Sequence, residues 1–340
     1  MNDVKSTHLI ADFKHGAPML SCRFDPTGRY VFGGAEDYQV WRWEIRSGKK
    51  VAYPTDAWVR GLAFSDEGKA FITGGYDGRL IWWPSHGTPK ANRIVQAHKG
   101  WIRAIDVSRD GRTLASVGND LVVRLWDARN GKKLRELKGH QSHIYNLAFH
   151  PDGDRLVTGD LKCNIIDWEI KTGRKVRTWI SKSQIKYDKG FKAFIGGFRG
   201  MTFNAKGTRL ACSGITNVTN AFAGVGNPSI VVYDWKSGKK QVEHLSKQKA
   251  KGVAWGLAFH PRGDMIGGVG GGSAYLMFWK PTGKKQYHEM KLRSDVRDLD
   301  LHKDGVRLAI AHGDRHMRLY KMAKKKTKKT TKSKTKKKVS

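Results

Sequence analysis

Seven turn glycines at nearly constant intervals constrain this chain more than any other feature. They close the turns Asp25-Pro-Thr-Gly28, Asp66-Glu-Gly68, Arg109-Asp-Gly111, Pro151-Asp-Gly153, Ala205-Lys-Gly207, Pro261-Arg-Gly263 and Lys303-Asp-Gly305, with spacings of 40, 43, 42, 54, 56 and 42 residues. A period of this size marks stacked supersecondary units, none of which buries its apolar face alone.

The columns around these glycines give the content of one unit. Four residues before each stands Phe24, Phe64, Val107, Phe149, Phe203, Phe259 or Leu301, and six before stands Cys22, Leu62, Ile105, Leu147, Met201, Leu257 or Leu299. Apolar residues two apart running into a turn describe a half-buried strand. Three residues after the glycine a second strand opens with Val31, Phe71, Leu114, Leu156, Leu210, Ile266 or Leu308. Fifteen after it comes Trp43, Trp83, Trp126, Trp168, Phe278 or Tyr320; in the fifth unit the offset is 26, to Tyr233, because residues 214–229 are inserted. No helical period fits this pattern. The expected fold is all-β: one seven-bladed β-propeller of four-stranded blades over residues 1–323, followed by a disordered Lys-rich tail over 324–340.

The third unit carries the most specific pattern: Ala97-His98, then Leu114-Ala-Ser-Val-Gly-Asn-Asp120, then Arg124-Leu-Trp126-Asp127. In these residues the chain resembles WD40-repeat proteins. The resemblance implies a hydrogen-bonded structural tetrad of His98, Ser116, Asp120 and Trp126. The fourth unit matches with His140, Thr158 and Trp168 but has Lys162 where the tetrad's Asp is expected. The Asp column otherwise reads Asp37, Asp77 and Asp314, against Asn227 and Gly272. His15 stands in the His column of the first unit, so the strand before it, Leu9–Phe13, belongs to the preceding blade. The last unit ends at Tyr320 without an outer strand. The first strand should therefore complete the seventh blade and leave no open edge.

Catalytic motifs are absent: there is no GxxxxGK[ST], HExxH, GxSxG or CxxCH. Gly267–Gly272 has the composition of a phosphate loop without its lysine, and reads as a flexible connection between strands. His312 and His316, four apart on a strand-turn-strand segment, do not share a face as they would on a helix. No catalytic residue, metal site or cofactor is expected. The three cysteines, Cys22, Cys163 and Cys212, lie far apart, which fits a reducing compartment better than a disulfide framework. No apolar stretch approaches the roughly 18 residues of a membrane span, and the first residues hold no apolar segment of a secretion signal. The expected location is cytoplasmic, or nuclear in a eukaryote.

Binding is the expected business of this chain. Eight residues before each turn glycine a column reads Leu20, Arg60, Arg103, Tyr145, Arg199, Trp255 and Arg297, and two positions earlier stand Trp58 and Trp101. Arginine interleaved with aromatics at the mouth of a channel is what a protein interface, in particular one for an acidic partner, would use. The insertions 181–197 and 214–229 emerge on the same face as long connections. Charge points to a second reading. Of the formal net charge of +34, the tail contributes ten lysines, so the remainder still carries +24. Turns such as Gly131-Lys-Lys133 and Gly238-Lys-Lys240 place cations on the opposite rim. Lys324, Lys325, Lys326, Lys328, Lys329, Lys336, Lys337 and Lys338 would attract a polyanion with little sequence preference. The leading expectation is a non-enzymatic scaffold for a protein partner; the alternative is a nucleic-acid- or nucleoid-associated protein acting through tail and rim.

Overall fold

The turn glycines each link the innermost strand of a blade to its neighbour, and the burial of the four strands explains their sequences. In blade three the innermost strand is Ile102–Val107, followed outward by Thr113–Gly118, Val122–Asp127 and Lys133–Lys138. Thr113–Gly118 is buried along nearly its whole length, whereas Lys133–Lys138 is exposed apart from Leu137. A strand covered on both faces reads as a continuous small or apolar run, and the strand at the rim reads as charged. The computed structural model describes residues 2–220, 225–247 and 250–325.

Seven four-stranded antiparallel sheets repeat this arrangement, with innermost strands Arg23–Phe24, Val59–Ser65, Ile102–Val107, Ile144–Phe149, Gly200–Phe203, Val253–Phe259 and Val296–Leu301. Blade seven is completed by the N-terminus. Asn2–Lys14 pairs antiparallel with His316–Ala323, setting Leu9 against Tyr320 and Phe13 against Met317. The ring thus closes on its own termini, through a longer strand than Leu9–Phe13. The core lies between blades, as where Ile102 and Ile105 of blade three meet Ile72, Leu80 and Trp82 of blade two. Among the described residues no helix is long and apolar enough to cross a membrane.

Two segments differ from the sequence expectations. Residues 267–270 are not a connection but part of Met265–Gly270, the fully buried second strand of blade six. Gly268 and Gly270 answer to crowding by the next blade: a Cβ on Gly270 would lie 2.2 Å from the carbonyl oxygen of Val296. The insertions also have structure of their own. Arg209–Asn220 and Val225–Asp234 extend the second and third strands of blade five as a long hairpin, and Lys186–Asp188 pairs with Ala193–Ile195 in a smaller one. A run such as Val218-Thr219 has the β-branching that favours pairing over a free loop.

Candidate functional site: the upper mouth of the channel

Innermost strands carry a bulge at one recurrent place. Pairing with the second strand skips a residue between Val59 and Gly61, Ile102 and Ala104, Ile144 and Asn146, Ala254 and Gly256, and Val296 and Asp298. The skipped residues are Arg60, Arg103, Tyr145, Trp255 and Arg297. A bulge places two consecutive side chains on one side of the strand, which explains why the alternation that buries Leu62 and Ile105 nevertheless brings these residues to the channel. With Leu20 and Arg199 they line one end of a central cavity of about 570 Å³.

At this end the arginines and aromatics form a chain. The Arg60 guanidinium lies 5.1 Å from the ring centre of Trp255, whose ring is shared with Arg199 at 5.1 Å. Arg199 also lies 5.1 Å from Tyr145, which Arg103 approaches at 4.6 Å while standing 4.7 Å from Trp101. Each such contact is worth about 0.5–2 kcal/mol, depending on how dry it is. Arg103 Nε also donates to Asn119 at 2.9 Å. Arg297 is different: it lies 2.9 Å from the carboxylate of Asp295. Among the described residues no carboxylate pairs with Arg60, Arg103 or Arg199. Burial, joined by repulsion from Arg60 and Arg103, pulls the Arg199 guanidinium below its ordinary value.

An aromatic row leads outward from this cluster. Tyr76 stacks on Trp101 at 4.5 Å and 12°, lies 6.0 Å from Trp58, and Trp58 stacks on Tyr38 at 6.4 Å. Tyr38, Trp58 and Trp101 are 53, 37 and 43% exposed. The insertions of blade five border the other side of the mouth: Ile195, Ile215, Val218 and Val253 pack together with Trp255. Lys186 Nζ donates to the carbonyl of Val218 at 2.6 Å, tying the two hairpins together, and the smaller one exposes Tyr187 and Phe194.

The opposite end of the cavity is lined by Arg23, Asp106, Asp298 and Asp300. Asp298 pairs with Arg23 at 3.1 Å, and Asp300 and Asp106 accept from the backbone N–H of Phe24 and Phe149. Burial pushes the Asp106 and Asp300 carboxyls up to about 6. The rim beyond is partly paired within itself: Lys133 with Glu136 at 3.1 Å and Lys240 with Glu243 at 3.3 Å. Lys324 and Lys325 follow the last strand and are exposed; Lys326, Lys328, Lys329, Lys336, Lys337 and Lys338 lie outside the described residues.

His98, Ser116, Asp120 and Trp126 meet inside blade three. His98 Nδ1 is 2.8 Å from Asp120 and its Nε2 2.7 Å from Ser116 Oγ, which accepts from Trp126 Nε1 at 2.9 Å. Burial lowers the His98 imidazole from its usual value. Burial opposes ionisation of Asp120 as well, yet His98 and Arg124 hold its carboxyl well below the carboxylate range. A neutral imidazole donating to Asp120 and accepting from Ser116 satisfies every group. Ser116 is fully buried, so no substrate carbonyl can reach its oxygen. In blade four His140 finds Asp160, at 3.0 Å, rather than a residue at the turn position of Lys162. His312 is buried against the carbonyl of Ser294, while His316 binds Asp12, so the two histidines do not converge.

A family model of the WD domain, G-beta repeat, matches residues 49–84, 89–127 and 131–167. These three stretches of the propeller are WD40 repeats. Similar curated proteins include transcription initiation factor TFIID subunit 5 of Caenorhabditis elegans, 29% identical over 178 residues, which are 52% of this chain and 27% of that protein. Protein groucho of Drosophila melanogaster is 25% identical over 183 residues, covering 52% of this chain and 25% of that one. Eukaryotic translation initiation factor 3 subunit I of Neurospora crassa is 34% identical over 93 residues, 27% of each. The matches thus span about a quarter of the length of these relatives.

Within the propeller, Tyr38 and Tyr76 join the upper face without having been singled out in the sequence. Both sit in connections between second and third strands, beside Asp37 and Asp77 of the Asp column. An aromatic adjacent to that column is the signal that would have found them.

Proposed function

We propose that this WD40 propeller is a non-enzymatic scaffold whose upper face, meaning the channel mouth, the aromatic row and the blade-five hairpins, holds a protein partner. One observation carries the reading: half-exposed aromatics run without interruption into three guanidinium groups that have no carboxylate partner among the described residues. Stacked aromatics and forked arginines present rigid area and unspent donors together, the combination that concentrates binding energy at interfaces. The names of the relatives, subunits of a transcription and a translation initiation factor, support a role inside a protein assembly. The unpaired guanidinium groups favour a partner with acidic surface, and a cytoplasmic site of action belongs to the same proposal.

Capture with the full chain, with and without nuclease, tests this. The partner should survive nuclease treatment and be lost from the double variant Trp58→Ala, Trp101→Ala, whose exposed rings can be removed without opening the core. Loss of the captured material on nuclease treatment, with the double variant behaving as the parent, would identify a nucleic-acid bridge instead.

A further inference from the structure

The donors at the channel mouth have one property that the scaffold reading does not use: they converge, and among the described residues no acceptor of opposite charge converges with them. Arg60 and Arg199 share the ring of Trp255, and Arg199 and Arg103 share that of Tyr145. Two donors in this group, Arg199 Nε and Trp255 Nε1, are buried without a hydrogen-bond partner among the described residues. Both atoms are covered from the cavity, so the donors this cluster can offer a ligand there are the terminal nitrogens of its guanidinium groups. The nearby acid, Asp295, is held by Arg297, and the other acids of the channel are engaged at its far end by Arg23 and backbone N–H groups.

We propose that the channel mouth is a phosphoryl-binding site, in which the guanidinium groups of Arg60, Arg103 and Arg199 surround one phosphoryl dianion. The choice of anion follows from number and charge. A single carboxylate carries one negative charge and pairs with one guanidinium fork, which leaves two cations of this cluster facing each other. A phosphoryl group brings three terminal oxygens and nearly two charges. Burial first, and repulsion from Arg60 and Arg103 after it, draws Arg199 down, and a doubly charged anion between the three would offset that repulsion. The aromatic rings hold the guanidinium planes in place, so little side-chain freedom remains to be lost on binding. This inference rests on the upper face being the binding face and names the chemistry it recognises. The phosphoryl group has two sources, a modified side chain of the partner or a small free phosphate, and the recognition chemistry is common to both.

Titration calorimetry on the full chain at about 0.15 M salt, where exposed lysines are well screened, decides it. The probes are pyrophosphate, inorganic phosphate, acetate, and a short phosphoserine peptide with its unphosphorylated twin. The expected result is saturable binding of one phosphoryl probe per chain, with acetate at least about tenfold weaker. Arg60→Gln and Arg199→Gln should each weaken binding by about tenfold or more, since each removes a charged hydrogen-bond donor. Arg60→Lys, which keeps the charge and loses the fork, should restore it only in part. The lower-rim pair Lys239→Gln, Lys240→Gln should bind as the parent does. Thermal melting of each variant separates lost binding from lost folding, and Arg60, at the open mouth, is the safer substitution should Arg199→Gln not fold. Tighter binding of the phosphopeptide assigns the group to a partner; equal or tighter binding of pyrophosphate assigns a free phosphate. Phosphate and acetate binding alike, or binding indifferent to both arginines, overturns the proposal. If Trp58→Ala, Trp101→Ala still abolishes partner capture while every phosphoryl probe stays silent, the upper face stands and its phosphoryl chemistry falls.

Discussion

Trp126 donates to a serine that is itself bound by His98, so removing the indole strips packing and a polar partner in one step. Trp126→Ala should cost about 3–5 kcal/mol, measured as a shift of the denaturant midpoint; a midpoint barely moved would mean that the network does not stabilise blade three. Residue types and their spacing were enough to find this group, because His, Ser, Asp and Trp stand at fixed offsets from the turn glycine. They were not enough in blade four. There the carboxylate comes from Asp160, at the end of the second strand, and a column read at one offset finds only Lys162. Nor does spacing say which arginine is already paired, since Asp295 reaches Arg297 through the local path of the chain. The channel aspartates give a pH prediction of definite sign. Burial raises Asp106 and Asp300 from 3.8 to about 6, so folding favours their protonated forms. Their contribution to stability is full below the unfolded value near 4 and vanishes as pH rises through 6. Asp106→Asn, neutral throughout, should therefore gain on the parent at about pH 7.5 and lose that advantage at about pH 4.5, as read from unfolding midpoints. Parallel pH profiles for the two proteins would contradict the assignment.

Strands were legible one by one, and their irregularities were not. Alternating apolar residues before each turn glycine locate the innermost strand, yet the same alternation places Arg60 and Leu62 on one face. The bulge between Val59 and Gly61 separates them, and it leaves no mark in residue type because backbone geometry at one position, not side-chain chemistry, makes it. The hairpins of blade five were legible only as insertions, since a run continuing an existing ladder, as Ile215 pairs with Pro228, looks in sequence like a long loop. Ring closure, by contrast, follows from counting: a strand too many at one end and one too few at the other. Leu9, Ala11 and Phe13 face Tyr320, Leu319 and Met317 in the seventh blade. Deleting Leu9–Phe13 should expose that edge and produce soluble oligomers or aggregate, seen by size-exclusion chromatography with light scattering. A monomeric deletion variant of undiminished stability would show that the termini do not hold the ring.

The whole molecule carries far more positive charge than a propeller needs, and its two faces divide that charge differently. Lysines of the lower rim pair in part with Glu136 and Glu243, whereas three arginines of the upper mouth meet aromatic rings and, among the described residues, no carboxylate. A polyanion gripped by lysines responds to salt: each neutralised duplex-DNA phosphate adds about 0.9 to the slope of log affinity against log salt. A partner held by forked arginines and stacked rings responds to their removal. The decisive measurement titrates three proteins, the full chain, the chain lacking residues 324–340, and Arg60→Ala, Arg103→Ala, against the captured partner and a generic DNA duplex at two salt concentrations. The scaffold account predicts that the partner is lost with the arginines and retained without the tail. It is contradicted if the arginine variant binds the partner as the parent does, while removing the tail abolishes binding and lowers the salt slope on duplex DNA by several units.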